Sequence, residues 1–424
     1  MKKILAVIGV IVFGVGMFFA GYFVRTYTNK DLASLKFILD KYKGYYLEQE
    51  DDYIDIMVEG LLDQYSEYYS KEEYEIIKKS AKGIRSGVGI TVYNNGSNLF
   101  ISDVKGNSPA QIAGVKRGGV IVGMKKATEN EFQSLDYNTF SSNMDALSNG
   151  EAFNLKIKYD GEEKVYELAK REYTETYVFY ADNSGYYHFT DYGSKSLEMV
   201  KSDDEISVEL PTDTAYLKYL SFNGNSNDLY GSAKQVDMVM SKFKQTGKSK
   251  IIIDLRGNGG GYMDIMCDVS SHFIGVQKND RALVSYALYK DGKKDEFKSS
   301  QAKYVDYGFS SIIILADDGT ASASEAFIGA CLDYDNNNIV KVVLSKNNKG
   351  VYKTYGKGIM QTTFENLSVG DAIRLTTAKI YWPISNVSIH GTGVTKDLVG
   401  FQDKIFEAPY QANVDYELLY ALSL

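Results

Sequence analysis

Apolar and polar positions change their spacing several times along the chain, and each change marks a boundary. Residues 4–24 are uncharged and largely apolar, bounded by Lys2-Lys3 and by Arg25. About 20 such residues suffice to cross a bilayer, and a secretory signal core is usually shorter. No small-residue cleavage site follows, because Phe18 and Phe19 crowd Ala20. An uncleaved transmembrane anchor over 1–29 is therefore expected, with the two lysines inside and the rest of the chain outside the cytoplasmic membrane. From 30 to 84 the spacing is helical: Leu35, Ile38, Leu39 and Tyr42 share one face, and Ile54, Met57, Val58, Leu61 and Leu62 repeat it.

Between 85 and 172 the pattern shortens to strands at 88–92, 99–102, 120–122 and 153–157, with helices at 109–113 and 141–147. Residues 173–210 are rich in tyrosine and polar side chains and read as a connection with weak strand character. Beyond them strands and helices alternate: strand 215–222, helix 232–244, strands 250–255, 283–288 and 312–315, helix 323–333, and strands 339–344 and 373–381. That order predicts a mixed α/β (α+β) body over 173–424.

Composition narrows the partners. At 424 residues the chain can bury two or three cores, and its 44% hydrophobic and 24% charged residues are those of a globular protein. A net charge of -8 argues against nucleic acid as a partner. The cysteines are Cys267 and Cys331, too few for a disulfide scaffold, and buried free thiols are expected. No His/Cys cluster has ligand spacing, so no metal and no cofactor is expected.

The candidate chemistry lies in Asp317-Asp-Gly-Thr-Ala-Ser-Ala-Ser-Glu325, after the apolar run 312–315 and before the helical pattern. A small hydroxyl at such a corner sits where unpaired N–H groups favour developing negative charge. Ser322 is the candidate nucleophile and Ser324 its alternative. The same residues also fit the S-x-x-E capping box, in which Ser322 and Glu325 only close a helix. A serine nucleophile needs a base. The chain has three histidines, His188, His272 and His390; lysine is the other choice if burial lowers its proton affinity. Lys357 lies between Gly356 and Gly358, with Gln361 four residues on; Lys346, Lys349 and Lys353 lie just upstream. The loop 257–261 after strand 250–255 matches neither phosphate-binding pattern, since no Lys-Ser/Thr pair follows and Tyr262 takes the place of the last glycine. It reads instead as an oxyanion donor through Gly261, with Asp254 and Arg256 holding the loop.

Four blocks in order, Leu62-Asp-Gln-Tyr-Ser-Glu-Tyr-Tyr-Ser70, Ser108-Pro-Ala-Gln-Ile-Ala-Gly114, Ile253-Asp-Leu-Arg-Gly-Asn-Gly-Gly-Gly261 and Thr320-Ala-Ser-Ala-Ser-Glu325 with Gly356-Lys-Gly358, resemble the carboxyl-terminal processing peptidases. The resemblance implies a Ser-Lys serine endopeptidase: Ser322 the nucleophile, Lys357 the general base, Gln361 its support, and Gly261 and Ala323 the oxyanion donors. It implies a PDZ-like domain at 85–172, in which Gly87, Val88, Gly89 and Ile90 form the loop for a peptide C-terminus. The expected partners are protein substrates with free C-termini, the membrane, and further copies of the chain. Two features depart from the family pattern: the spacing from Ser322 to Lys357 is long, and Lys116-Arg-Gly-Gly119 stands where proline and aspartate are usual. A catalytically silent peptide-docking scaffold is the rival reading.

Overall fold

The computed structural model describes residues 30–45, 53–94, 98–192, 196–202, 208–225, 228–274, 281–300, 307–347, 349–398, 401–408 and 415–424. The anchor expected at 1–29 lies outside the described residues. Among them, no helix is long and apolar enough to cross a membrane. The chain divides into two compact units, one ending at Tyr68 and the other running from Tyr69 to Leu424. The first unit holds helices Lys30–Tyr45 and Tyr53–Glu59. On their apolar face, Leu35, Ile38 and Ile54 are exposed.

The second unit opens with helix Lys71–Ala81, whose Ser70 and Glu73 form a reciprocal capping box. A five-stranded antiparallel sheet follows, built in the order Ile90–Asn94, Leu99–Val104, Val120–Lys126, Ala152–Tyr159, Glu162–Ala169. Alternate residues Phe153, Leu155 and Ile157 point to one face, as a two-residue period requires, and join Leu99, Ile101 and Phe140 in a core separate from that of the rest. The strand Glu162–Ala169 was not expected, because its outward residues Glu163, Val165 and Glu167 hide the alternation of Tyr166 and Leu168.

The larger body is an eight-stranded sheet. Its order is Glu198–Ser202, Gly185–Thr190, Val178–Asp182, Thr214–Tyr219, Lys250–Asp254, Ser311–Ala316, Val340–Leu344 and Ile405–Glu407. The last five run parallel. Helices Ser232–Gln245, Met263–Ser270 and Ala323–Asp333 pack through Val236, Ile265 and Phe327 into the core on one face. Helix Tyr416–Ser423 covers the other with Leu418 and Ala421. The alternation expected from the sequence is present, with helix Ala323–Asp333 at the expected residues. The tyrosine-rich connection is not a connection. Residues 178–202 supply three antiparallel strands of the sheet, with Tyr177, Tyr180 and Phe189 almost fully buried. The Tyr180 hydroxyl donates to Asp182 Oδ2 at 3.2 Å, so its ring buries as an apolar body with its polar end satisfied, which a polarity count does not register.

A second sheet pairs Ile359–Glu365 with Ala372–Tyr381, and the latter with Leu283–Tyr289, which pairs in turn with Lys294–Lys298. Lys357 enters this sheet just before its first residue, so the two sheets bring the two candidate halves of the site from separate layers.

Candidate active site

Ser322 stands between strand Ser311–Ala316 and helix Ala323–Asp333 with φ 58° and ψ −116°. An ordinary N-cap has extended backbone, whereas a non-glycine residue at positive φ carries about 1–3 kcal/mol of strain. Such strain at a strand-to-helix corner is how a nucleophile elbow lifts its hydroxyl out of the turn. The turn is laced to the glycine loop beside it. Asp317 Oδ1 accepts from Gly257 N–H at 2.8 Å, Thr320 Oγ1 donates to the Leu255 carbonyl at 2.8 Å, and Ala321 N–H donates to the Asn258 carbonyl at 3.0 Å.

That lacing sets the glycine loop against Ser322. A Cβ on Gly260 would lie 2.8 Å from Ala323 N and 2.9 Å from Ser322 Cβ. Gly261, at φ 147°, would drive a Cβ to 2.1 Å from the Phe222 carbonyl oxygen. Only glycine fits either position. Asn258, fully buried, accepts from Gly260 N–H at 3.0 Å and donates to the Tyr219 carbonyl at 2.8 Å, which fixes the loop. Neither Gly261 N–H nor Ala323 N–H donates a hydrogen bond to a described residue. Two backbone donors are thus held unspent beside one strained serine.

Lys357 reaches the same place by another path. Its own N–H and that of Ser322 both donate to Glu325 Oε2 at 2.9 Å, so the two backbone nitrogens lie within about 6 Å of each other. The flanking glycines let the segment pass close to residues 390–393: a Cβ on Gly356 would meet Gly393 N at 2.9 Å and one on Gly358 would meet His390 N at 2.6 Å. Burial lowers the Lys357 ammonium below its ordinary value, the Arg374 guanidinium lowers it further, and the Glu325 carboxylate opposes both. Arg374 itself lies over the Tyr69 ring at 5.4 Å.

The extra residues between Ser322 and Lys357 fold outward. Lys346 bridges to Tyr352, and Asn347 N–H donates to the Val351 carbonyl at 2.9 Å, making a small hairpin that returns the chain at Thr354. Lys346 and Lys349 are exposed on it, and Lys353 bridges to Thr395. Gln361 begins the first sheet strand's polar face, with Nε2 at 3.5 Å from Thr376 Oγ1. His390 is exposed, His272 is held by Asp237 and Tyr307 at 2.8 and 2.9 Å, and His188 is buried in the antiparallel edge of the large sheet. Among the described residues no group of three His, Cys, Asp or Glu side chains is placed to hold a metal ion. Cys267 and Cys331 are free and buried, and burial pushes the Cys267 thiol up to about 12.

Comparison with known proteins finds similar chains. Residues 213–399 match the model of peptidase family S41. The chain is 28% identical over 377 residues to the Staphylococcus aureus protein named "Probable CtpA-like serine protease", covering 87% of this chain and 65% of that one. The match spans less than two thirds of the Staphylococcus aureus relative's length, 65%. A Staphylococcus saprophyticus relative of the same name is 37% identical over 171 residues, 40% of this chain and 30% of the relative. A solved structure from Bacteroides fragilis assigned to the S41 proteases has the same fold, with TM-score 0.57 at 18% identity over 89% of this chain and 90% of that one.

Three residues near the candidate site escaped the sequence. Glu325 was visible only as the last letter of a capping box, Thr354 as part of a polar insertion, and Arg374 as one charge in a strand. Each acts across more than ten residues of sequence, and no local spacing reports that. In the smaller domain, Gly87, Val88, Gly89 and Ile90 run between strands Ile84–Gly87 and Ile90–Asn94. The Val88 carbonyl accepts from Ala110 N–H at 3.0 Å and that of Gly89 from Lys105 N–H at 2.8 Å. A Cβ on Gly89 would collide with Ser108. The strand Ile90–Asn94 is the outermost of its sheet among the described residues.

Proposed function

We propose that this protein is a membrane-anchored, extracytoplasmic serine endopeptidase that cleaves protein substrates engaged near their C-termini. Ser322 Oγ attacks the substrate carbonyl while neutral Lys357 Nζ takes its proton, forming the tetrahedral intermediate. Gly261 N–H and Ala323 N–H stabilise the oxyanion. Lys357 then returns the proton to the leaving amine, and the acyl-enzyme on Ser322 is released by water activated by the same amine. Gln361 supports the base.

The observation that carries this reading is the pair of unspent N–H groups beside a strained serine, with the Lys357 backbone pinned to the same carboxylate as the serine's. The outer strand Ile90–Asn94 offers an edge to which an extended peptide can add, and the loop from Gly87 to Ile90 would receive its terminal carboxylate, as in PDZ domains. Placement outside the cytoplasm rests on the apolar run 4–24 and its flanking charges.

The test uses the full chain in membranes with an unstructured polypeptide ending in apolar residues. Wild type is expected to cleave it, and Ser322→Ala and Lys357→Ala to bind it without cleavage. Binding by all three with cleavage by none identifies the silent scaffold instead, and alkaline extraction that releases the protein from membranes removes the anchor from the proposal.

A further inference from the structure

The Glu325 side chain is fully buried, yet its two oxygens take four donors from three parts of the chain. Oε2 accepts from Ser322 N–H and Lys357 N–H, both at 2.9 Å; Oε1 accepts from Gly356 N–H at 2.8 Å and from the Thr354 hydroxyl. Thr354 Oγ1 accepts in turn from Val394 N–H at 2.7 Å. A helix cap needs only the first of these bonds. The others run to a segment about 30 residues away, and they join the strand-to-helix corner to the chain entering the second sheet.

We propose that Glu325 is a positioning residue of the Ser322–Lys357 pair, a buried carboxylate that fixes the spacing of nucleophile and base. This rests on the Ser-Lys reading above. The carboxylate suits the task because two oxygens offer enough lone pairs for four donors, while an amide offers one oxygen and adds two donors of its own. Burial raises the Glu325 carboxyl above its ordinary value, while its four donors and its place in the first turn of helix Ala323–Asp333 favour the charged form. The charged groups acting on Lys357 oppose one another: burial and Arg374 weaken the ammonium, and Glu325 strengthens it. Removing the negative charge while keeping the shape therefore moves the lysine's titration to lower pH.

The experiment compares Glu325→Gln, Glu325→Asp and wild type by kcat, KM and the pH dependence of kcat/KM on a quenched-fluorescence peptide ending in apolar residues. Misplacing a reacting group by an ångström costs on the order of 10²-fold. Glu325→Gln is expected to lower kcat by that order at nearly unchanged KM and to shift the rising limb of the profile to lower pH. Glu325→Asp, which keeps the charge, is expected to lower kcat without that shift. A Gln variant with wild-type kcat, or with lowered kcat and an unmoved limb, overturns the proposal. Where Glu325→Gln does not fold, Thr354→Val decides: it removes one donor and leaves the charge, and a fall in kcat at constant KM supports the clamp while an unchanged kcat overturns it. Ser322→Ala and Lys357→Ala run alongside. Full activity in either refutes the Ser-Lys reading itself, a result distinct from any outcome at Glu325.

Discussion

Ser324 Oγ donates to the backbone carbonyl of Asn258 at 2.9 Å, deep under the glycine loop. The second serine of the motif is thereby committed to structure, and fully buried. The Asn258 carbonyl keeps its bond from Ala321 N–H when this one is lost, so the cost is that of a single hydrogen bond, about 0.5–1.5 kcal/mol. Ser324→Ala is expected to lower the melting temperature while retaining peptide cleavage, and Ser322→Ala to do the reverse.

The glycine loop makes a sharper comparison. A Cβ on Gly259 would meet nothing within 4 Å, whereas one on Gly261 would collide with the Phe222 backbone. Losing one oxyanion donor costs on the order of 10²–10³ in kcat. Gly261→Ala is expected to reach that loss by displacing its N–H, and Gly259→Ala to leave the thermal transition unchanged.

Arg374 gives a pH prediction of opposite sign to that at Glu325. The proposed mechanism requires neutral Lys357, so on it the rate rises with pH through the lysine's titration. Burial and Arg374 both lower that titration from the ordinary lysine value. Arg374→Gln removes one of them, and the rising limb of kcat/KM is expected to move to higher pH.

Arg256 clasps Asp254 at 2.6 Å and Asp415 at 2.8 Å, tying the glycine loop to the start of helix Tyr416–Ser423. Burial opposes the Asp254 charge, but the Arg256 guanidinium outweighs it and holds the carboxyl below its ordinary value. A depressed carboxyl contributes stability above its unfolded value, about pH 4, and loses it as pH falls through the folded one. Removing one partner of a buried pair costs about 3–5 kcal/mol. Arg256→Met is expected to unfold at higher pH during acid titration and to speed hydrogen exchange in residues 416–423.

The alternation of strands and helices was legible wherever apolar residues kept one period, as in Ile312 to Leu315 or Ala323 to Asp333. It failed in residues 178–202, where tyrosines carry the buried face. The segments that hold Ser322, Lys357 and Gly261 were legible as motifs, but the positive φ of Ser322 was not, since it arises where the corner is laced to the neighbouring loop. Glu325 shows the limit most clearly. One of its bonds is local and spells a familiar cap; the rest depend on where a distant strand lands.

The hairpin of residues 346–352 lengthens the path to Lys357 without displacing it, because the chain leaves and rejoins the body at neighbouring points. Its tip is therefore a natural attachment point. A fluorophore or epitope spliced between Lys349 and Val351 would ride outside the protein within a few residues of the base, reporting on substrate arrival from a position that the chemistry never touches.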